Sequence, residues 1–179
     1  MEKTYIFESE RLGFRRWNIE DREPFAKMNN DQEVMEFMPK KLTSEESCEF
    51  ISRIEEHFEI HNYGLWVAEV KETSKFVGFI GFYTATFESD FTPCIEIGWR
   101  INRENWSLGY ATEGAKACLE YGFNHLGFEK VYSFTSKLNI RSINVMKKIG
   151  LVEEREFNHP RLEEKDPLRP HVLYSIYKS

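Results

Sequence analysis

Trp106-Ser107-Leu108-Gly109-Tyr110-Ala111-Thr112-Glu113-Gly114-Ala115 is the stretch on which the reading of this chain turns. A β-type run, Cys94–Ile101, precedes it. A helix-type run follows, with apolar residues at Ala111, Ala115, Cys118, Leu119, Gly122, Phe123 and Leu126. Steps of three and four trace one helix face. The stretch is therefore a strand-to-helix turn. N–H groups in the first turn of a helix lack intrahelical partners and sit at the positive end of the peptide dipole, so an anion settles there. Gly109 lets a phosphate approach the backbone and Ala111 adds little bulk, which predicts a phosphorylated cofactor at this turn.

Toward the amino terminus the pattern becomes strand-rich. Leu65–Val70 and residues 75–83 read as a hairpin across the polar turn Lys71-Glu72-Thr73-Ser74, with residues 87–93 as the loop that follows. Thr43 with Glu46 three residues later is a capping box, opening a helix on which Cys48, Ile51, Ile54 and Phe58 share a face. Residues 31–38 predict a further helical turn, ended by Pro39. Asp21 reads as the N-cap of a short helix with Pro24 in its first turn, and residues 12–17 as the first strand. Toward the carboxy terminus, Gly127 caps the central helix. Residues 130–135 are a strand, 142–148 a short helix, and Gly150 a second cap. Residues 151–157 and 172–177 form a last strand pair around the charged segment 160–170. About seven strands result, in one mixed α/β sheet with helices on both faces. No repeat or linker divides the chain, so residues 1–179 are expected to form one domain.

Bulk properties narrow the function classes. A chain of 179 residues can bury a sizeable core, and its 15% aromatic content suits pleated surfaces. The net charge of −6 argues against nucleic acid, which needs a basic field. No apolar run approaches the roughly 20 residues that span a bilayer. The stretch from Met1 to Arg11 is too charged for a signal peptide. Cys48, Cys94 and Cys118 are few and widely spaced, so no disulfide framework and no metal site is expected, and a reduced cytoplasmic compartment is the default.

Ile95-Glu96-Ile97-Gly98-Trp99, then Gly109-Tyr110-Ala111-Thr112-Glu113, then Asn139-Ile140-Arg141-Ser142 with Lys148-Ile149-Gly150-Leu151, resemble the GNAT N-acetyltransferases in order and separation. Within them the chain is similar to the ribosomal-protein N-terminal (Rim-type) branch. Asn18-Ile19-Glu20-Asp21 and Phe76-Val77-Gly78-Phe79-Ile80-Gly81 fit the same branch. The resemblance runs from about Phe7 to Tyr177. It implies acetyl-coenzyme A as donor, an amine as acceptor, and a mostly antiparallel twisted sheet. In that sheet Cys94–Ile101 and the strand at 130–135 splay into a V. The pantetheine arm would lie in the V along Ile97, Trp99 and Ile101. The diphosphate would meet Leu108, Gly109, Tyr110, Ala111 and Thr112 beside Trp106, and Asn139 and Ser142 would flank the pantetheine or thioester. Two positions depart from the family pattern. Trp106 stands where Gln or Arg is usual, and Met146 replaces the tyrosine that protonates the departing thiolate in many members.

Acetyl transfer needs a base for the amine, a donor for the thioester oxygen and a proton for the thiolate. Glu96 is the candidate base, sharing one face of its strand with Cys94 and Gly98. Its plain alternative is a strand glutamate paired with Arg100. Ser142 is the candidate acid, its alternative being the N-cap of the short helix. A backbone N–H near Ile97 or Gly98 is the expected oxyanion donor. Cys94 invites an acetyl-cysteine intermediate but has no histidine at a partner spacing. His57 and His61 have a metal-ligand spacing without a third ligand. His159 and His171 flank the last loop, where exposed side chains are expected, and Asp31, Glu33 and Glu36 read as a solvated surface, the alternative being attraction of a cationic amine. The acceptor is the α-amine of a protein or a small molecule, and the chain is a monomer or homodimer. The alternative function is a non-catalytic coenzyme A sensor or partner protein.

Overall fold

The computed structural model describes residues 4–179, so the first three residues of the charged amino-terminal stretch lie outside it. Eight strands form one sheet: β1 Phe7–Glu8, β2 Leu12–Arg15, β3 Leu65–Val70, β4 Phe76–Ala85, β5 Cys94–Ile101, β6 Lys130–Ser136, β7 Val152–Asn158 and β8 Pro170–Tyr177. Their order is β1-β2-β3-β4-β5-β6-β8-β7. Every neighbouring pair is antiparallel except β5 with β6, which is parallel. The strand absent from the sequence reading is β1, two residues long and too short to show a period.

Four α-helices accompany the sheet: α1 Arg22–Asn29, α2 Ser44–His61, α3 Tyr110–Asn124 and α4 Ile140–Lys148. Strand alternation assigns them to faces. Phe79 meets the rings of Phe25 in α1 and Phe50 in α2 at 6.1 Å. The next residue, Ile80, points the other way, and its Cδ1 would lie 2.4 Å from a Cβ placed at Gly114 of α3. Only a glycine lets α3 lie that close to Ile80, Phe14 and Leu12. Buried Ala115, Cys118, Leu119 and Gly122 complete the helix face that the apolar spacing predicts.

Two local expectations change. Asp21 makes no side-chain cap bond to α1. Its carboxylate instead accepts from the Asn18 N–H and binds the Arg15 guanidinium bidentately at 2.7 and 2.8 Å. A nearly buried carboxylate beside a guanidinium gains more there than at a helix end. Residues 32–37 form successive turns instead of a helix, with a single i+4 bond from Met35 N–H to the Asp31 carbonyl. The Thr43–Glu46 capping box is present as read. Cys48 is half-buried, whereas Ile51, Ile54 and Phe58 of the same face are buried. Among the described residues, no helix is long and apolar enough to cross a membrane.

Candidate active site

β5 and β6 touch at one parallel register point, Glu96 opposite Tyr132. One step further the Ser133 hydroxyl donates to the Ile97 carbonyl at 2.9 Å. Beyond that bond the strands part. A cavity of about 560 Å³ opens in the fork, walled by β5 from Glu96 to Ile101, by Ser133, Phe134 and Thr135 of β6, by the start of α3, by α4, and by Val34, Phe37 and Met38. The main-chain groups of Ile97, Trp99 and Ile101 alternate toward the fork. The carbonyls of Ile97 and Ile101 are engaged, the latter accepting from the Trp106 indole at 2.8 Å. Trp99 is left between them with its main-chain groups facing the cavity.

The mouth of α3 forms one end of this space. Gly109 is the N-cap, with φ of 83°, a left-handed conformation that side chains strain. Glu113 N–H bonds the Gly109 carbonyl at 3.0 Å, and the N–H groups of Tyr110, Ala111 and Thr112 have no acceptor inside the helix. Arg11 lies beside this mouth. Its guanidinium sits 4.6 Å from the centre of the Tyr110 ring, donates to the Leu108 carbonyl at 3.0 Å and pairs with Glu113. Three open amides, a glycine and the helix dipole suit a diphosphate, whether or not a basic residue replaces Trp106.

Ten of the residues expected at the cofactor line the cavity: Ile97, Trp99, Ile101, Trp106, Gly109, Tyr110, Ala111, Thr112, Asn139 and Ser142. Leu108 is placed outside it, with an exposed side chain.

Glu96 also lines the cavity and has no hydrogen bond or ion pair among the described residues. It is half-buried, and desolvation raises its pKa to about 8. The alternative in which Arg100 neutralises it does not occur. Arg100 instead donates to Asn29 Oδ1 at 2.6 Å. Cys94 is buried under Ala85 and Phe87, and its thiol is pushed up to about 12, first by burial and then by Glu96. A thiol held protonated does not serve as a nucleophile.

Asn139, not Ser142, caps α4. Its carbonyl accepts from the Ser142 N–H at 3.2 Å and its amide donates to Thr135 Oγ1 at 3.1 Å. Asn139 stands three residues before Ser142, the spacing a side-chain cap requires. The Ser142 hydroxyl is thereby left toward the cavity with no hydrogen bond to the described residues. Met146 is buried and forms part of the same wall.

The histidines hold structure. The Thr84 N–H donates to His57 Nε2 at 3.1 Å, so Nδ1 carries the proton and donates to the Tyr63 carbonyl at 2.9 Å. Both nitrogens of this ring are engaged, and burial lowers its pKa. His159 and His171 are half-buried, contrary to expectation, with ring centres 5.0 Å apart and tilted against Phe87 and Phe157. Burial lowers His159 to about 4. Glu33 pairs with Arg103, and Glu36 with Arg141 at 2.8 Å. Neither is left to attract a cationic amine.

Sequence reasoning did not single out Val34, Phe37, Met38, Ser133, Thr135 or Arg141 as site residues. The signal available was slight: three apolar residues in an acidic stretch before Pro39, and an arginine within the Asn139–Ser142 segment.

Residues 11–152 match the family model described as an acetyltransferase (GNAT) domain. The protein YkkB of Bacillus subtilis is 33% identical over 136 residues, 74% of this chain and 78% of that one. The crystal structure of a GNAT-family acetyltransferase from Bacillus anthracis is 25% identical and superposes with a TM-score of 0.80 over 96% of this chain and 97% of that one. Mycobacterium smegmatis RimJ in complex with CoA-disulfide shares the fold at 18% identity, with a TM-score of 0.76 over 93% of this chain and 81% of that one. With that match and the forked sheet in view, the chain belongs to the GNAT acetyltransferase family.

Proposed function

We propose that this protein transfers the acetyl group of acetyl-coenzyme A directly to a primary amine, with both substrates bound together. One observation carries the reading: a single cavity joins the open amides of α3 to the unpaired carboxyl of Glu96. The diphosphate sits at Tyr110, Ala111 and Thr112, and the pantetheine amide pairs with the Trp99 main chain. RimJ, a structural neighbour bound to CoA-disulfide, supports coenzyme A as the occupant.

Glu96 takes a proton from the ammonium of the acceptor, directly or through water. A carboxyl titrating near 8 holds that proton well, and about one-tenth of it is in the basic form at pH 7. The freed nitrogen forms a bond to the acyl carbon, the oxyanion meets a β5 amide, and the carbon–sulfur bond breaks. The second proton of that nitrogen reaches the thiolate through the Ser142 hydroxyl, which gives one proton as it takes the other, since Met146 has none to give. A water held by the same hydroxyl serves equally. An acetyl-cysteine route has no thiolate to begin from.

The test is thiol release from acetyl-coenzyme A with a panel of amines and amino-terminal peptides, alongside calorimetric binding of coenzyme A. Turnover with any amine supports transfer. Tight coenzyme A binding with no turnover across the panel returns the chain to the sensor reading.

A further inference from the structure

Arg100 shares a face of β5 with Glu96 and Gly98 and lines the same cavity. Desolvation lowers its pKa to about 10. Arg100 is half-buried, and guanidinium groups withdrawn from water are normally paired with a carboxylate. Here every partner is neutral. Asn29 Oδ1 accepts at 2.6 Å, Met38 Sδ lies 3.4 Å from Nη2, and the rings of Phe79 and Phe50 stand 5.3 and 5.7 Å away. Among the described residues no carboxylate pairs with it. A guanidinium carries five N–H donors, so most remain to be used.

The group is also held in place. Asn29 is wholly buried, donates its side-chain amide to Ser47 Oγ at 3.1 Å and accepts Leu42 N–H on its main-chain carbonyl at 3.0 Å. That fixes the amide oxygen on Arg100. The rim carboxylates Glu33 and Glu36 are committed to Arg103 and Arg141. Glu96 stands four strand residues away, roughly 13 Å along the backbone. Between them lies Gly98, where an added Cβ would meet nothing within 4 Å. A clear lane therefore runs from an unpaired carboxyl to an unpaired guanidinium.

We propose that Arg100 reads an anion on the acceptor, and that the acceptor is an amine bearing a carboxylate several bonds from its nitrogen. The molecule lies over Gly98, nitrogen toward Glu96 and carboxylate on the Arg100 fork. This rests on the acetyl-transfer reading and narrows its acceptor class. A planar carboxylate matches the guanidinium fork and supplies the charge that the protein withholds. A polyamine brings only like charge to the same place.

Initial rates with saturating acetyl-coenzyme A compare 4-aminobutyrate and 6-aminohexanoate with their terminal amides and with spermidine. Wild-type kcat/KM is expected to be about tenfold or more higher for each carboxylate than for its amide. R100M brings each pair within about twofold through KM for the carboxylate, R100K falls between, and coenzyme A calorimetry reports whether each variant is folded. Amides or spermidine turned over as well as the carboxylates by the wild type would overturn the proposal, as would a tenfold preference persisting in R100M. If no amine is turned over, the transfer reading fails by itself. Calorimetry of the same carboxylates and amides on the coenzyme A-loaded protein then decides the role of Arg100 by the same tenfold criterion.

Discussion

Glu96 and Arg100 are four residues apart on one strand, neither paired with an opposite charge among the described residues, and both pulled from their ordinary pKa by desolvation. For Glu96 this has two measurable consequences. As a base it works deprotonated, so kcat/KM for an amine acceptor is expected to rise with pH and level off above about 8. E96Q should lose about 10²- to 10⁴-fold in turnover, the range for a positioned acid–base group, with coenzyme A affinity unchanged. Retained turnover in E96Q removes the carboxylate from the chemistry. The second consequence is for stability. The folded pKa lies above the unfolded one, so between about pH 4.5 and 8 the folded state holds the extra proton. Stability from this group is present at low pH and is lost as pH rises through that window. Thermal melts of wild type and E96Q across pH 5 to 9 should converge at the acid end, the wild type alone losing ground above it.

At the scale of elements, α3 is defined by what happens at two glycines. Gly109 opens it in a left-handed conformation, and a side chain there is strained by roughly 1–2 kcal/mol while also crowding the approach to the amides. G109V is therefore expected to fold with a slightly lower Tm and to lose measurable coenzyme A binding by calorimetry. Tight binding by that variant would move the diphosphate elsewhere. Gly114 lies where α3 presses on Ile80, Phe14 and Leu12. A leucine there overpacks the interface, at a typical cost of about 1–3 kcal/mol. At roughly 2–4 °C per kcal/mol for a chain of this length, G114L should melt several degrees lower. An unchanged Tm would mean that α3 stands further from the sheet than described. The two substitutions separate function from packing on one helix.

At the scale of the whole molecule, the sheet is two antiparallel sets joined by one short parallel contact between β5 and β6. Few main-chain bonds cross that seam, and the cavity fills it. A ligand spanning the fork ties both sets together and binds only the folded chain. At about one hundred times Kd, coenzyme A should add roughly 2.7 kcal/mol of stability. The melting transition should rise by about 5–10 °C in the wild type and stay in place in G109V. The exposed pairs Arg103–Glu33 and Arg141–Glu36 also bridge the cavity mouth, but solvent screens them and they hold little.

Much of this was legible in the order of residues, because the decisive features are local. The period of three and four after Gly109, the apolar run of Cys94–Ile101 and the Thr43–Glu46 box each depend on neighbours within one or two turns. The boundaries of β5 and the placing of a turn at Gly109 follow from those alone. Which side chains pair with which was not legible, even where the partners stand only a few residues apart. Asp21 binds Arg15 instead of capping α1, Asn139 takes the capping role from Ser142, and Arg100 finds Asn29 across 71 positions. Nor does a linear chain reveal which charges go without a partner. That is settled when the sheet and helices pack, because burial is a property of what closes around a side chain, and only the packed molecule leaves Glu96 and Arg100 facing one empty lane.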